Sequence, residues 1–280
     1  VIKTICVCGA GTMGSGIAQV IASNNINVIQ FDVNENMLEK SKTSIENNLQ
    51  KLVEKGRLQQ AQKNDTLQRI AFISSIKNCV GELIIEAVVE DKLIKQNLFD
   101  ELAEINTDAA IFATNTSSIS ITALSSGKKY ASRFAGLHFF NPAPLMKLVE
   151  IIRTEHTTEE VTDTLKKFTE QLGKTAVVCN DAPGFIVNRV ARHYYLEAMR
   201  LVESGIADVK TIDTIMEATG FKMGPFKLMD LIGLDVNYAV SNIVWNELGR
   251  PERLEPSRLQ KAKVDANELG KKSGKGFYEY

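Results

Sequence analysis

The sequence predicts an α/β protein: a doubly wound, mainly parallel sheet with a helical insertion, followed by an all-α C-terminal domain. Three observations carry that expectation. Short apolar runs rich in Ile and Val alternate with polar, helix-patterned stretches from residue 2 to residue 179, the alternation that lays parallel strands beneath crossover helices. A glycine-rich turn, Gly9-Ala-Gly11-Thr12-Met13-Gly14, follows the first run directly. Beyond Asn180-Asp-Ala-Pro-Gly184 the strand pattern stops, and only helical patterns punctuated by Gly or Pro remain.

Residues 2–8 are mostly apolar, as a strand buried on both faces requires, and the glycines after them have the spacing G-x-G-x-x-G. Gly9 permits the sharp turn, Gly11 has no Cβ to hold a pyrophosphate away from the backbone, and Gly14 lets the new helix lie close to its strand. The helix N-terminus then offers free N–H groups to the anion. A lone glycine motif is weak evidence, but here a second strand, 27–32, ends in Asp32, eighteen residues after Gly14. That is where a carboxylate accepts bonds from a ribose diol, so this first domain is Rossmann-like and Asp32 points to NAD over NADP. The plainer reading, a strand-end or capping acid, stays open at this point.

A polar stretch over 34–69 is long for a crossover and reads as two helices, with Asn34 as N-cap, a narrow apolar stripe and Gly56 at the break. Its spacing favours a plain solvated cover; the alternative is that basic residues such as Lys51, Lys55 and Arg57 serve a phosphorylated substrate. Strands are expected at 70–73, 83–89, 109–113, 133–138, 147–153 and 175–179. Helices are expected at 91–105, at 120–124 with Ser118 or Ser120 as cap, and at 158–172. The domains therefore run 1–182 and 183–280. In the second, helices are expected at 185–203, at 209–218, and from Phe226 or Gly233 to 247, with a charged segment over 255–269. The apolar helix carrying Tyr194 and Tyr195 suits a helical core or a subunit interface, and a homodimer is the expected state.

A net charge of −1 in 280 residues gives no global steering toward nucleic acid or an anionic membrane. No apolar run has the length of a membrane span. No targeting peptide is visible at the start, and a processed one stays open. The four cysteines, Cys6, Cys8, Cys79 and Cys179, show no paired metal spacing and read as buried free thiols, which fits a reducing cytoplasm; no metal is expected.

In a sheet of this type ligands lie beyond the carboxyl ends of the strands. The polar residues there are Glu90 with Lys95, the run Asn115-Thr-Ser117-Ser118, and His138. Of the three histidines, His156 lies in a polar loop run and His193 sits among Arg192, Tyr194 and Tyr195 on a helix, both bland settings. His138 ends an apolar strand and precedes Phe139-Phe-Asn141-Pro142. A nicotinamide enzyme oxidising an alcohol needs a base for the hydroxyl proton, and imidazole titrates in the useful range. Glu150, in an otherwise apolar alternating strand, needs a partner; paired with His138 it would fix the tautomer. Taken singly, Ser117 reads as a helix cap and Asn188 as an ordinary helix residue, although both could bond a substrate oxygen.

These residues together resemble a known family. Gly9-Ala-Gly-Thr-Met-Gly14, Asn115-Thr-Ser-Ser118, the run from His138-Phe-Phe-Asn-Pro to Leu-Val-Glu150, Ala182-Pro-Gly-Phe-Ile-Val-Asn-Arg189, Met223-Gly-Pro-Phe226 and Lys272-Ser-Gly-Lys-Gly-Phe-Tyr278 resemble the L-3-hydroxyacyl-CoA dehydrogenases, above all the short bacterial 3-hydroxybutyryl-CoA dehydrogenases. The resemblance implies His138 as catalytic base with Glu150 as its partner, and Ser117 and Asn188 at the substrate's 3-oxygen. It implies NAD contacts from the glycine turn and from Asp32, Glu90, Lys95, Asn115, Asn141 and Lys272. It puts Asn48 and Lys55 at CoA-contacting positions, which reverses the reading of the helical pair as a plain cover, and it implies a dimer through the C-terminal helices. The chain departs from the family in Val-Ala-Arg-His-Tyr-Tyr after Arg189 and in Lys227, where glutamate often stands. Two alternatives remain: a dehydrogenase of a non-CoA hydroxy acid or sugar acid, and a non-catalytic NAD-binding scaffold of the crystallin kind.

Overall fold

In the computed structural model, which describes residues 2–280 and leaves Val1 outside the described residues, the eight expected strands form one sheet. They are β1 (Thr4–Cys8), β2 (Asn27–Phe31), β3 (Ile70–Ile73), β4 (Leu83–Glu86), β5 (Ile111–Thr114), β6 (Phe134–Phe139), β7 (Leu148–Arg153) and β8 (Thr175–Asn180). Their order is β3-β2-β1-β4-β5-β6-β7-β8. The first six run parallel, β7 is antiparallel to β6, and β8 is parallel to β7. The order reverses between β1 and β4, which makes the crevice beyond those two strand ends the switch point of the sheet. β4 stops at Glu86, short of the expected 89, because Ala87 turns beneath the glycine loop: its N–H donates to Cys8 O and its carbonyl lies under Gly9.

Helices cover both faces. α1 (Thr12–Ser23), α2 (Glu35–Glu54), α3 (Gln60–Gln68) and α6 (Glu159–Gln171) accompany a core that includes Ile5, Val7, Ile17, Ile21, Ile45, Leu49, Ile85, Leu137, Ile151 and Phe168. On the other face α4 (Lys92–Ile105) and α5 (Ile121–Ser125) follow β4 and β5, and Phe99, Phe112, Tyr130 and Phe134 meet with ring centroids 4.8 to 6.2 Å apart. Asn34 caps α2 by accepting from Asn36 N–H, and Gly56, at φ +66°, follows its end, both as expected. The helical insertion is therefore α2 and α3.

The chain divides into two compact units, 1–181 and 182–280. The second holds α7 (Val187–Glu203), α8 (Val209–Ala218), α9 (Pro225–Ile232), α10 (Leu234–Glu247) and α11 (Arg258–Asp265) around Tyr195, Leu196, Met199, Phe226, Met229, Leu234 and Val244. Of the two expected starts, Gly233 is the one observed for α10, where it is the N-cap; the stretch from Phe226 belongs to a separate helix, α9, because Gly233 at φ +104° breaks the run between them. This unit is not purely helical. Its last residues form a small hook closed by bridges from Lys275 to Gly270 and Glu279, and the buried Asp230 accepts N–H bonds from Phe277 and Tyr278 at 2.9 Å. Among the described residues no helix is long and apolar enough to cross a membrane.

Candidate active site

The glycine turn has the shape its spacing implies. Gly9 sits at φ +111°, and a Cβ there would fall 2.4 Å from the Ala87 carbonyl oxygen. A Cβ on Gly14 would lie 2.0 Å from the Gly9 oxygen, so α1 can approach β1 only without one. Gly11 differs: nothing of the chain lies within 4 Å of its missing Cβ. The open space stands at an N-cap with no side-chain cap, in front of helix N–H groups that have no intrahelical partner. A dinucleotide's pyrophosphate fits that cradle. Asp32, just past β2, accepts from Ala10 N–H at 2.8 Å and Asn34 N–H at 2.9 Å, one bond to each oxygen. It serves as the strand-end acid of the plainer reading, yet each oxygen keeps acceptor capacity for a ribose hydroxyl. Beneath the turn the buried Gln30 donates to Gly9 O and accepts from Ser41, tying the turn to α2.

Beyond β4 and β5, Glu90 organises the edge. It accepts from the hydroxyls of Thr116 and Ser118, from Ser117 N–H at 3.3 Å, and from Lys95 Nζ at 3.1 Å. Burial works against its charge, but the Lys95 ammonium and the two hydroxyls outweigh burial and hold the carboxyl below the ordinary carboxylate range. Lys95 itself is fully buried, with Glu86 at 2.5 Å, so it reaches this edge through Glu90. Ser117 is not a helix cap; Ser120 caps α5. The hydroxyls on either side of Ser117 are spent on Glu90, whereas its own makes no hydrogen bond among the described residues. Asn115, instead of standing apart, accepts from Phe139 N–H at 2.8 Å and so straps the end of β5 to the end of β6.

That strap holds the strand bearing His138. His138 and Glu150 are direct cross-strand partners in the antiparallel β6–β7 pair, and His138 Nδ1 lies 2.8 Å from Glu150 Oε2. Both are nearly fully buried, and the Phe140 ring packs 4.5 Å from the imidazole. A buried carboxylate selects the tautomer with hydrogen on Nδ1, which places the basic lone pair on Nε2. Burial, then the Glu150 and Asp181 carboxylates, push the Cys179 thiol up to about 11, which disfavours the thiolate. His156 and His193 are exposed, as their settings predict.

A cleft of about 340 Å³ opens between α1, α2 and the segment after His138, lined by Thr12, Ser15, Gln19, Ser44, Asn48, Leu52 and the run from Asn141 to Leu145. It unites expected dinucleotide residues, Thr12 and Asn141, with the expected CoA residue Asn48. Asn48 and Leu52 stand at i and i+4 on α2, and Lys55, the C-cap residue of that helix, follows at i+7. Lys174, which no sequence pattern singled out, is buried and donates to Ala143 O at 2.7 Å and Met146 O at 2.6 Å, bracing the wall of this cleft.

In the second unit Asn188 stands in the first turn of α7. Its carbonyl accepts from Arg192 Nε, and the buried Arg192 also donates to Asn237 O and Ser241 on α10 at 2.8 Å. Burial lowers the Arg192 guanidinium to about 10. Lys272 pairs with Asp235 at 2.6 Å. Lys227 has its own counter-ion, Glu217 of α8 at 2.9 Å, which accommodates the departure there.

The mainly parallel sheet with its reversed strand order, the open glycine cradle and a buried imidazole beside a carboxylate are the arrangement of a dinucleotide-dependent oxidoreductase. The family model for the 3-hydroxyacyl-CoA dehydrogenase NAD binding domain matches residues 4–182 and that for the C-terminal domain matches 184–280. The chain belongs to the 3-hydroxyacyl-CoA dehydrogenase family. Over 98% of its length it is 42% identical to a probable 3-hydroxybutyryl-CoA dehydrogenase of Deinococcus radiodurans, of which it covers 99%. It is 43% identical to a 3-hydroxyadipyl-CoA dehydrogenase of Escherichia coli over the whole of this chain, but spans only 59% of that protein. A crystal structure of an (S)-3-hydroxybutyryl-CoA dehydrogenase from Ralstonia eutropha superposes with a TM-score of 0.95 at 35% identity, covering all of this chain and 99% of that one.

Proposed function

We propose that this chain interconverts a short L-3-hydroxyacyl-CoA, such as 3-hydroxybutyryl-CoA, and its 3-ketoacyl-CoA with NAD. The observation that carries the reading is the buried His138–Glu150 pair at the ligand-binding edge of a dinucleotide-binding sheet. When bound, NAD supplies the hydride acceptor. The glycine turn and Asp32 hold it, with Glu90, Asn115, Asn141 and Lys272 as further contacts and Lys95 acting by fixing Glu90. His138 Nε2 takes the proton of the 3-hydroxyl, and Glu150 steadies the imidazolium that results. Ser117 and Asn188 donate to the 3-oxygen and weight the site toward the developing charge. Asn48 and Lys55 hold the CoA portion.

The working form is a homodimer through the C-terminal helices, and its four free cysteines suit the cytoplasm. NADH oxidation with acetoacetyl-CoA, run beside free acetoacetate and beside NADPH, tests the assignment. Turnover with NADH and the thioester alone is expected. No turnover with the thioester while NADH still binds would move the function to a non-CoA hydroxy acid or to a scaffold without chemistry.

A further inference from the structure

The face of β1 that turns away from the Ile5 and Val7 core carries Cys6 and Cys8, since alternate residues of a strand face opposite sides. The fold brings a third thiol to them across a long stretch of sequence. Cys79, between the turn Ile76–Asn78 and β4, places its sulfur so that all three Sγ atoms lie within 4.8 Å of one another, with Cys6 and Cys8 sulfurs 3.9 Å apart. All three residues are fully buried. The backbone presenting Cys79 is held on both sides: its N–H donates to Ile76 O, and its carbonyl accepts from Asn106 Nδ2, each at 2.8 Å.

Sequence spacing concealed this group, because only Cys6 and Cys8 are close along the chain. Buried cysteines commonly pack as small hydrophobes against carbon, whereas these three sulfurs face one another. Metal–thiolate bonds of about 2.3 Å put the sulfurs of a planar three-coordinate site about 4.0 Å apart. The Cys6–Cys8 spacing already matches, and Cys79 needs a shift of less than an ångström. Glu86, level with Cys8 on β4, is committed to Lys95 and Thr114, so the donor set is sulfur only. Three thiolates without oxygen or nitrogen select soft cations.

We infer that Cys6, Cys8 and Cys79 form a three-sulfur site for a soft, thiophilic metal ion, separate from the dehydrogenase chemistry. Binding exchanges three S–H protons, released to solvent, for three metal–sulfur bonds, with no change of oxidation state. Because the sulfurs are buried, entry waits on local opening and is slow.

The test is a titration of the whole, reduced, metal-free protein with Cd(II) under anaerobic conditions, read by ultraviolet sulfur-to-metal charge-transfer absorption. One equivalent is expected to saturate the band at an intensity corresponding to three thiolates and to raise the Tm. Cys79→Ala should abolish the saturable band, while Cys179→Ser should keep it. Circular dichroism and NADH binding show that each variant is folded; if Cys79→Ala does not fold, Cys6→Ser takes its place. An unchanged band in a folded cluster variant would overturn the site, as would loss of the band in Cys179→Ser. So would a disulfide from Cys79 to Cys6 or Cys8 in the protein as purified, seen as a mass two hydrogens lighter.

Discussion

His138 and Glu150 meet at 2.8 Å because an antiparallel pair sets them opposite each other on one face of the sheet. Their roles differ, and so do the expected variants. His138→Ala should still bind NADH, read by fluorescence titration, while turnover falls by ~10²–10⁴ as for loss of a general base. Glu150→Gln should lower turnover while leaving NADH affinity unchanged, because the amide cannot stabilise an imidazolium. Near-normal turnover in either variant would remove that residue from the mechanism. Ser117→Ala should affect both turnover and substrate binding, since this hydroxyl makes no hydrogen bond among the described residues. Local pattern by itself reads a serine before a helix as a cap; the structure gives the cap to Ser120 and commits the Thr116 and Ser118 hydroxyls to Glu90, which sets Ser117 apart from its neighbours.

At the scale of elements, the turn between β1 and α1 separates stability from binding. Gly14→Ala sets a Cβ 2.0 Å from a backbone oxygen, so α1 must move and the Tm should fall. Gly11→Ala meets nothing within 4 Å and sits at φ −72°, which alanine accepts. Its Tm should match the parent's while NADH affinity drops by at least tenfold; retained affinity would show that the pyrophosphate does not lie there. The loop after β5 depends on Glu90 in a pH-sensitive way. Its folded carboxyl titrates below its unfolded value of about 4.3. The stability it contributes is therefore present above that unfolded value and lost as pH falls through the folded one. Glu90→Gln should be less heat-stable than the parent at pH 7, and the gap should close on acidification below about pH 4. A gap that persists at low pH would assign the loss to packing instead of charge.

For the molecule as a whole, the second unit exposes Ile206, Ile215, Phe221, Leu231, Ile232 and Val236, an apolar share that a partner subunit would cover. Light scattering should give twice the 31.0 kDa chain mass, and Ile215→Asp should shift the equilibrium toward monomer. A monomer at micromolar concentration would count against the dimer.

The order of strands and helices, the glycine turn, Asp32, and the pairing of His138 with Glu150 were legible from the chain alone. Each is written in a local period or spacing: β-alternation for the strands, G-x-G-x-x-G for the turn, and a charged residue out of place in an apolar strand. The supports were not. Lys174 beneath the cleft wall, Gln30 beneath the turn, Glu86 beside Lys95, Arg192 behind Asn188 and Cys79 beside Cys6 and Cys8 join residues distant along the chain. Local sequence therefore determined which elements form and which chemical groups they carry, because propensity and period act over a few residues. Only the tertiary structure decided which buried polar groups satisfy one another, because that depends on register and packing between segments that no local pattern connects.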